Sequence, residues 1–220
     1  MSDITKIHLA PHQVWDGSDN ARGHSTAIAR LLWLRRMCLP SPPHNLFDMG
    51  CGEGAGILSW CTGDVRSDDL GIGGPELPIH GGCDVVPYFV ETAQKNHPGC
   101  NFFLYDLQEL TSGGRLPVSD YSYDVVVATE VIEHLYESQW RPFLKECYRI
   151  ARRQILVTMP DGGLPDRADD WFPQAPNNTL YSGHQYEPCY DTWCRIMEEV
   201  FPEQVRCTKI FGFFTAHVLF

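Results

Sequence analysis

The chain has 220 residues and carries 28 acidic against 17 basic side chains, a formal net charge of −11 at pH 7. An apolar fraction of 43% excludes a disordered chain, and the length fits about one domain at ~100–200 residues each. No apolar run approaches the ~18 residues of a membrane span, and residues 1–15 lack the apolar stretch of a signal peptide. A cytoplasmic protein with no membrane partner is the expectation. Nine cysteines, an odd number with no Cys-x-x-Cys pair, exclude a zinc ribbon and a complete set of disulfides, and point to free thiols in a reducing compartment. The acidic balance argues against a broad grip on nucleic acid, which rests on clustered Lys and Arg. Two local basic groups stand out, Arg30, Arg35 and Arg36 and then Arg149, Arg152 and Arg153. They read first as solvated helix faces.

Residues 1–20 read as an irregular arm, and Ser25-Thr26 caps a helix whose apolar residues are Leu31, Leu32, Trp33, Leu34 and Met37. Pro40, Pro42 and Pro43 end it. A short buried strand is expected over 45–49, a glycine break over 50–54 and a helix over 55–61. The Gly/Asp-rich stretch 62–76 reads as a long loop. A second strand is expected over 78–83, although its glycines weaken it, followed by a helix over 87–96 with proline in its first turn. Residues 101–105 form a third strand. The β-branched run 123–129 is the clearest strand of all, too apolar to be wet on either face. A helix over 138–151 and a strand over 154–159 follow. Residues 161–188, rich in proline and glycine, read as a lid-like loop. A helix over 190–201 carries Trp193, Ile196, Met197 and Val200 on one face, and two final strands, 204–211 and 215–220, are joined by a link over 212–214. The alternation predicts an α/β fold: a Rossmann-like, seven-stranded, mostly parallel sheet with helices on both faces and a final antiparallel strand at one edge. The chain divides into an N-terminal arm and helix, 1–44, and one compact domain, 45–220.

The most informative segment is Asp48-Met49-Gly50-Cys51-Gly52-Glu53-Gly54, set between a strand and a helix. Gly50 and Gly52 allow a tight turn and a close approach of main chain to ligand. Asp-x-Gly-Cys-Gly-x-Gly resembles the first motif of the class I, Rossmann-like S-adenosylmethionine-dependent methyltransferases. Gly82-Cys83-Asp84-Val85-Val86-Pro87 resembles that family's second strand and helix. Residues 101–106 resemble its third strand, Tyr123-Asp124 through Glu130-Val131-Ile132-Glu133-His134-Leu135 its fourth motif, and 154–160 its fifth strand. The likeness covers roughly 45–160. It implies S-adenosylmethionine as cofactor and S-adenosylhomocysteine as product. Asp48, Gly50, Cys51, Gly52 and Gly54 would shape the cofactor loop, Asp84 with Val85 would hold the ribose, and Asp106 with Leu107 the adenine. Glu130 would lie at the mouth, within reach of both cofactor and acceptor. A rim of Asp48, Asp84, Asp106 and Glu130 suits a sulfonium cation better than a pyrophosphate. Asp84 lies thirty residues beyond Gly54, against the ~20 of dinucleotide folds. The stretch 62–76 is read as an insertion that accounts for the excess, with Glu76 as the substitute acid if the second strand lies elsewhere. Cys51 has no evident His partner and reads as a packing residue.

Methyl transfer from a sulfonium is an in-line displacement, so the protein chiefly aligns donor and acceptor, and an O or N acceptor calls for a base. Glu130, Glu133 and His134 are the catalytic candidates, with His134 the best base. The expected acceptor is a small molecule, and no metal is required. An alternative keeps Glu130, Glu133, His134 and His184 as a divalent-metal set, in the pattern of enzymes that methylate the 3′-terminal ribose of small RNAs. On that reading Arg149, Arg152 and Arg153 would face RNA. A further alternative is a catalytically silent subunit that acts beside a partner protein. His12, Trp15, Arg22 and His24 are candidates to fold over the cofactor, and Trp171, Phe172, Tyr181 and Tyr186 to line the acceptor pocket.

Overall fold

The computed structural model describes Leu34, Met37, residues 45–52, Gly54, 79–161, 185–186, 188–210 and 213–220. The expectations for residues 1–33, the helix 55–61, the loop 62–76, Glu76, Trp171, Phe172, Tyr181 and His184 lie outside the described residues.

Four strands carry the first half of the sheet: β1 (Leu46–Met49), β2 (Ile79–Asp84), β3 (Asn101–Leu104) and β4 (Tyr123–Thr129). β5 (Ala151–Pro160), β6 (Val205–Ile210) and β7 (Phe213–Leu219) complete it, in the order β3-β2-β1-β4-β5-β7-β6. The crossovers are helical: α1 (Pro87–Asn96) joins β2 to β3, α2 (Glu137–Ile150) joins β4 to β5, and α3 (Tyr190–Val200) lies between β5 and β6. β1 pairs in parallel with both β2 and β4. The chain therefore builds outward on one side through β2 and β3, then returns to build the other side from β4. That reversal leaves a crevice at the carboxyl ends of β1 and β4, where open α/β sheets bind ligands.

Alternation along the central strands covers both faces. Val125, Val127 and Leu156 join Leu46, Val90, Ala93, Phe102 and the helical residue Leu34 in one core. Phe47, Met49, Val126, Ala128, Ile155 and Val157 join Trp140, Phe143, Leu144, Trp193, Ile196 and Met197 in the other. On α2 the apolar stripe Trp140, Phe143, Leu144, Cys147 and Ile150 is fully buried, each large side chain contributing ~1.5–3 kcal/mol of transfer free energy. Trp140 also stacks edge-on against Trp193, 5.8 Å away, and donates its indole N–H to the Leu135 carbonyl at 3.1 Å. The start of α2 falls at Glu137 because the Gln139 side chain reaches back to the Tyr136 amide at 2.8 Å.

The last strand is antiparallel to its neighbours, as expected, but it lies one place in from the edge, between β5 and β6. Phe213 and Phe214, expected in the link, belong to β7 and pair with Ile210 and Lys209; Phe213 is fully buried, which draws it into the sheet. The edge strand β6 carries Arg206 and Lys209, the charged residues that discourage edge-to-edge pairing. Gly81 and Gly82, which weaken β2 as a sequence pattern, are required by packing. A Cβ at Gly81 would stand 2.5 Å from the Asn101 carbonyl oxygen, and one at Gly82 would stand 2.7 Å from the Cβ of Cys51. Cys51, Cys83, Cys100, Cys147, Cys189, Cys194 and Cys207 are free thiols among the described residues.

Candidate functional site

The carboxyl edge of the sheet brings one acid from each of four adjacent strands into line. Asp106 follows β3, Asp84 ends β2, Asp48 lies in β1 and Glu130 follows β4. Asp48 is in register with Gly82 on one side and Val127 on the other, so its place over the central crevice follows from the strand order alone.

The glycine loop turns at the end of β1 with Gly50, Gly52 and Gly54 at φ of 81°, 53° and 75°. Gly50 has no alternative: a Cβ there would lie 2.3 Å from Cγ2 of Val131, which leans in from the β4 side. The amides of Gly50 and Cys51 both donate to the Cys83 carbonyl at 2.8 and 2.9 Å. The Gly52 amide donates to Oδ2 of Asp84 at 2.9 Å, and the Gly54 amide to the Cys51 carbonyl at 2.9 Å. A phosphate cradle points such amides outward at the ligand. Here the four described amides are turned into the protein, and the loop offers a ligand glycine surface rather than donors. The Cβ position of Gly52 meets no described atom within 4 Å.

Asp84 ties the loop to the start of α1: its Oδ1 accepts from the Val86 amide at 2.9 Å while Oδ2 holds Gly52. Val85, half-buried, sits between the two ties. Asp106 caps the short 3-10 turn Leu107–Ser112, its Oδ1 accepting from the Gln108 amide at 2.9 Å, and Leu107 packs against the larger core. Cys51 is 6% exposed. Burial, and then the neighbouring Asp48 and Asp84, push its thiol far above the ordinary cysteine range, so it stays protonated and is no nucleophile.

At the mouth, Glu130 occupies the left-handed region at φ 57°, unusual for a residue with a Cβ. Its amide donates to the Thr158 carbonyl at 3.2 Å, and its Oε1 accepts from the Thr158 hydroxyl at 2.9 Å. A second 3-10 turn, Ile132–His134, follows. Its three members differ: Ile132 and Glu133 are fully buried, whereas His134 is half-buried. The Glu133 carbonyl accepts from the amides of Gln185 and Tyr186 at 2.7 and 3.3 Å, so the chain leaving the segment 162–184 is fastened to this turn. Tyr186 itself is 9% exposed and packs edge-on against Trp140 at 5.1 Å; it belongs to the core rather than to an acceptor pocket. Among the described residues no group of three or more His, Cys, Asp or Glu is placed to hold a metal ion, and His184, the fourth member of the metal-type set, lies outside them.

The basic group at 149–153 is corrected. β5 begins at Ala151, so these arginines stand at the opposite edge of the sheet from the acids. Arg149 is a clamp: it pairs with Glu146 at 2.6 Å and Asp120 at 2.7 Å, and donates to the Val118 carbonyl at 2.6 Å. Arg152 and Arg153 reach Asp124 at 3.2 and 3.8 Å. Arg149 holds loops, while Arg152 and Arg153 pair with Asp124 of β4 and stay partly solvated, the Arg152 side chain 54% exposed. Sequence reasoning also passed over Thr158 and Val131. The only trace of Thr158 is a hydroxyl inside the apolar run Ile155-Leu156-Val157-Thr158-Met159, and Val131 leaves no signal, because its role is the space that Gly50 vacates.

Comparison with known proteins bears on the family and the fold. Residues 47–157 match the family described as a methyltransferase domain. Among solved structures, the PH0226 protein of Pyrococcus horikoshii OT3 superposes with a TM-score of 0.59 at 13% identity, covering 91% of this chain and 92% of that one. The magnesium protoporphyrin IX methyltransferase of Synechocystis PCC 6803, crystallised with S-adenosylmethionine, gives 0.55 at 14%, over 90% of this chain and 79% of its own. The small RNA methyltransferase HEN1 gives 0.59 at 18%, over 86% of this chain but only 24% of its own. No curated protein matches the sequence significantly. No helix among the described residues is long and apolar enough to cross a membrane.

Proposed function

Because the chain belongs to the methyltransferase domain family, we propose that it is an S-adenosylmethionine-dependent enzyme that methylates an oxygen or nitrogen of a small-molecule acceptor. The observation that carries this reading is the glycine loop with its amides turned inward, lying beside a line of carboxylates at the switch point of the sheet. Such a site disfavours a diphosphate and favours a cationic nucleoside. When bound, S-adenosylmethionine supplies an electrophilic methyl group on a sulfonium sulfur, and S-adenosylhomocysteine is the product.

The chain's own residues then divide the work. Asp48, Gly50, Cys51, Gly52 and Gly54 form the bare surface that admits the cofactor. Asp84, with Val85, takes the ribose hydroxyls, and Asp106, with Leu107, the adenine amine. His134, half-buried at the end of its turn, accepts the acceptor's proton, and Glu130 aligns the acceptor. Glu133, fully buried, anchors that turn through its carbonyl. A small acceptor is favoured over RNA by the chain's net charge of −11 and by the pairing of Arg149, Arg152 and Arg153 within the protein.

Isothermal calorimetry with S-adenosylhomocysteine tests the reading. The wild-type protein is expected to bind, and Gly52→Val to lose at least about tenfold in affinity while remaining folded. A Cβ at this position meets no described atom within 4 Å, and the cost of the side chain to the fold is the left-handed φ of 53°, about 1–2 kcal/mol. Absence of heat from the wild-type protein at millimolar ligand overturns the assignment. A screen of acceptor classes, read as homocysteine derived from the by-product, then identifies the acceptor.

A further inference from the structure

We infer that Thr158 is a positioning residue for Glu130, holding its carboxylate at the gap between β4 and β5 and hence on the acceptor side of the site. The inference rests on the methyltransferase reading above and adds to it the device that aims one of its side chains. Thr158 is fully buried in β5, in register with Thr129 of β4 and Thr215 of β7. Its strand neighbours Ile155, Leu156, Val157 and Met159 are fully buried and apolar, and a valine at 158 would have the same shape. What threonine adds is a hydroxyl, and that hydroxyl donates to Oε1 of Glu130 at 2.9 Å. The main chain makes a second tie, from the Glu130 amide to the Thr158 carbonyl at 3.2 Å. The two ties act on a residue whose backbone sits at φ 57°, a conformation that persists in a side chain of this kind when its surroundings over-determine it.

The direction of the tie carries the functional content. β4 has β1 on one side and β5 on the other. The glycine loop and Asp84 belong to the β1–β2 side, whereas Thr158 draws the Glu130 carboxylate to the β5 side. Gln185 and Tyr186 dock on the neighbouring Glu133 carbonyl, so the same mouth also receives the chain that returns from beyond β5. Glu130 is thereby assigned to the acceptor and removed from the cofactor's contacts.

The test compares Thr158→Val, which keeps the volume and loses the hydroxyl, with Thr158→Ser, which keeps the hydroxyl and loses a methyl. The carboxyl carbon resonance of Glu130, assigned by its loss in Glu130→Gln, is expected to move in Thr158→Val and to return in Thr158→Ser. A merely structural role predicts the reverse ranking, because serine leaves the larger void. Affinity for S-adenosylhomocysteine is expected to stay within about twofold in both variants, while turnover of the acceptor found by the screen falls about tenfold in the valine variant and recovers in serine. An unmoved resonance, or an S-adenosylhomocysteine affinity that falls with the valine variant, overturns the proposal. Asp84→Asn serves as the cofactor-side control: failure of the wild type to bind S-adenosylhomocysteine defeats the methyltransferase reading, while the Glu130 resonance still reports the Thr158 tie on its own.

Discussion

The two edges of the one sheet hold their acids by different means. At the amino edge the partners are guanidinium groups: Arg149 grips Glu146 and Asp120, and Arg152 and Arg153 reach Asp124. Over the crevice at the ends of β1 to β4 the described donors are neutral: the amides of Gly52 and Val86 on Asp84, the amide of Gln108 on Asp106, and the hydroxyl of Thr158 on Glu130; farther along the same edge Asp161, after β5, pairs with Lys209 at 2.7 Å. A guanidinium cancels a carboxylate's charge, whereas an amide or hydroxyl fixes its direction and leaves the charge in place. At one edge the acids are therefore paired with cations. The other keeps a negative field over a crevice, which is what a cationic ligand requires.

The largest expected effect that breaks this contrast is Gly50→Ala. The new methyl must displace Val131 from 2.3 Å and hold a φ of 81°, so the left-handed penalty of ~1–2 kcal/mol adds to an overpacking cost of ~1–3 kcal/mol. A loss of about 2–5 kcal/mol in urea denaturation, together with loss of S-adenosylhomocysteine binding, is expected, because loop and mouth share this contact. Arg149→Met comes next. Glu146 is 9% exposed on its side chain and also accepts from the Leu116 amide at 2.7 Å, so removing its cation costs about 2–4 kcal/mol. Affinity for S-adenosylhomocysteine is expected to remain within about twofold at a temperature where the variant is folded. A fall in affinity as large as that of Gly50→Ala would show that the edges are not separable.

Much of this was legible in the sequence where periodicity or punctuation is strong. The helix 87–96 and the strand 123–129 have the expected bounds, set by Pro87 and by a β-branched run. The placement of Asp84 and Asp106 at strand ends came instead from the resemblance to the methyltransferase motifs, Asp84 in spite of the glycines that weaken the strand before it. Less legible were features defined by what lies across space. Gly81 and Gly82 looked like breaks in a strand because the atoms that forbid their side chains, on Asn101 and Cys51, lie elsewhere in the chain. Phe213 and Phe214 looked like linker because their pairing with β6 and β5 is set by the sheet and not by the local run. The two 3-10 turns carry no period long enough to read. Arg149, Arg152 and Arg153 looked like a surface patch because charge in a sequence shows neither its partner nor the edge it occupies.

The smallest effect expected sharpens the comparison through pH. His217 of β7 lies in register with Leu156, and its Nε2 faces Oε1 of Gln154 at 3.0 Å. Burial, and then the nearby Arg206, lower its pKa below the ordinary 6.5, so the folded protein takes up a proton here less readily than the unfolded chain does. The stability this pair contributes is complete above pH 6.5 and declines as pH falls from there toward the folded value. His97, also lowered by burial, acts in the same sense. Thermal midpoints are therefore expected to fall between pH 7.5 and 5.5, and His217→Gln, which has no imidazole to protonate, is expected to flatten part of that decline. An unchanged slope in the variant would place the acid sensitivity elsewhere. A flattened slope would place part of it at the His217–Gln154 pair in the body of the sheet.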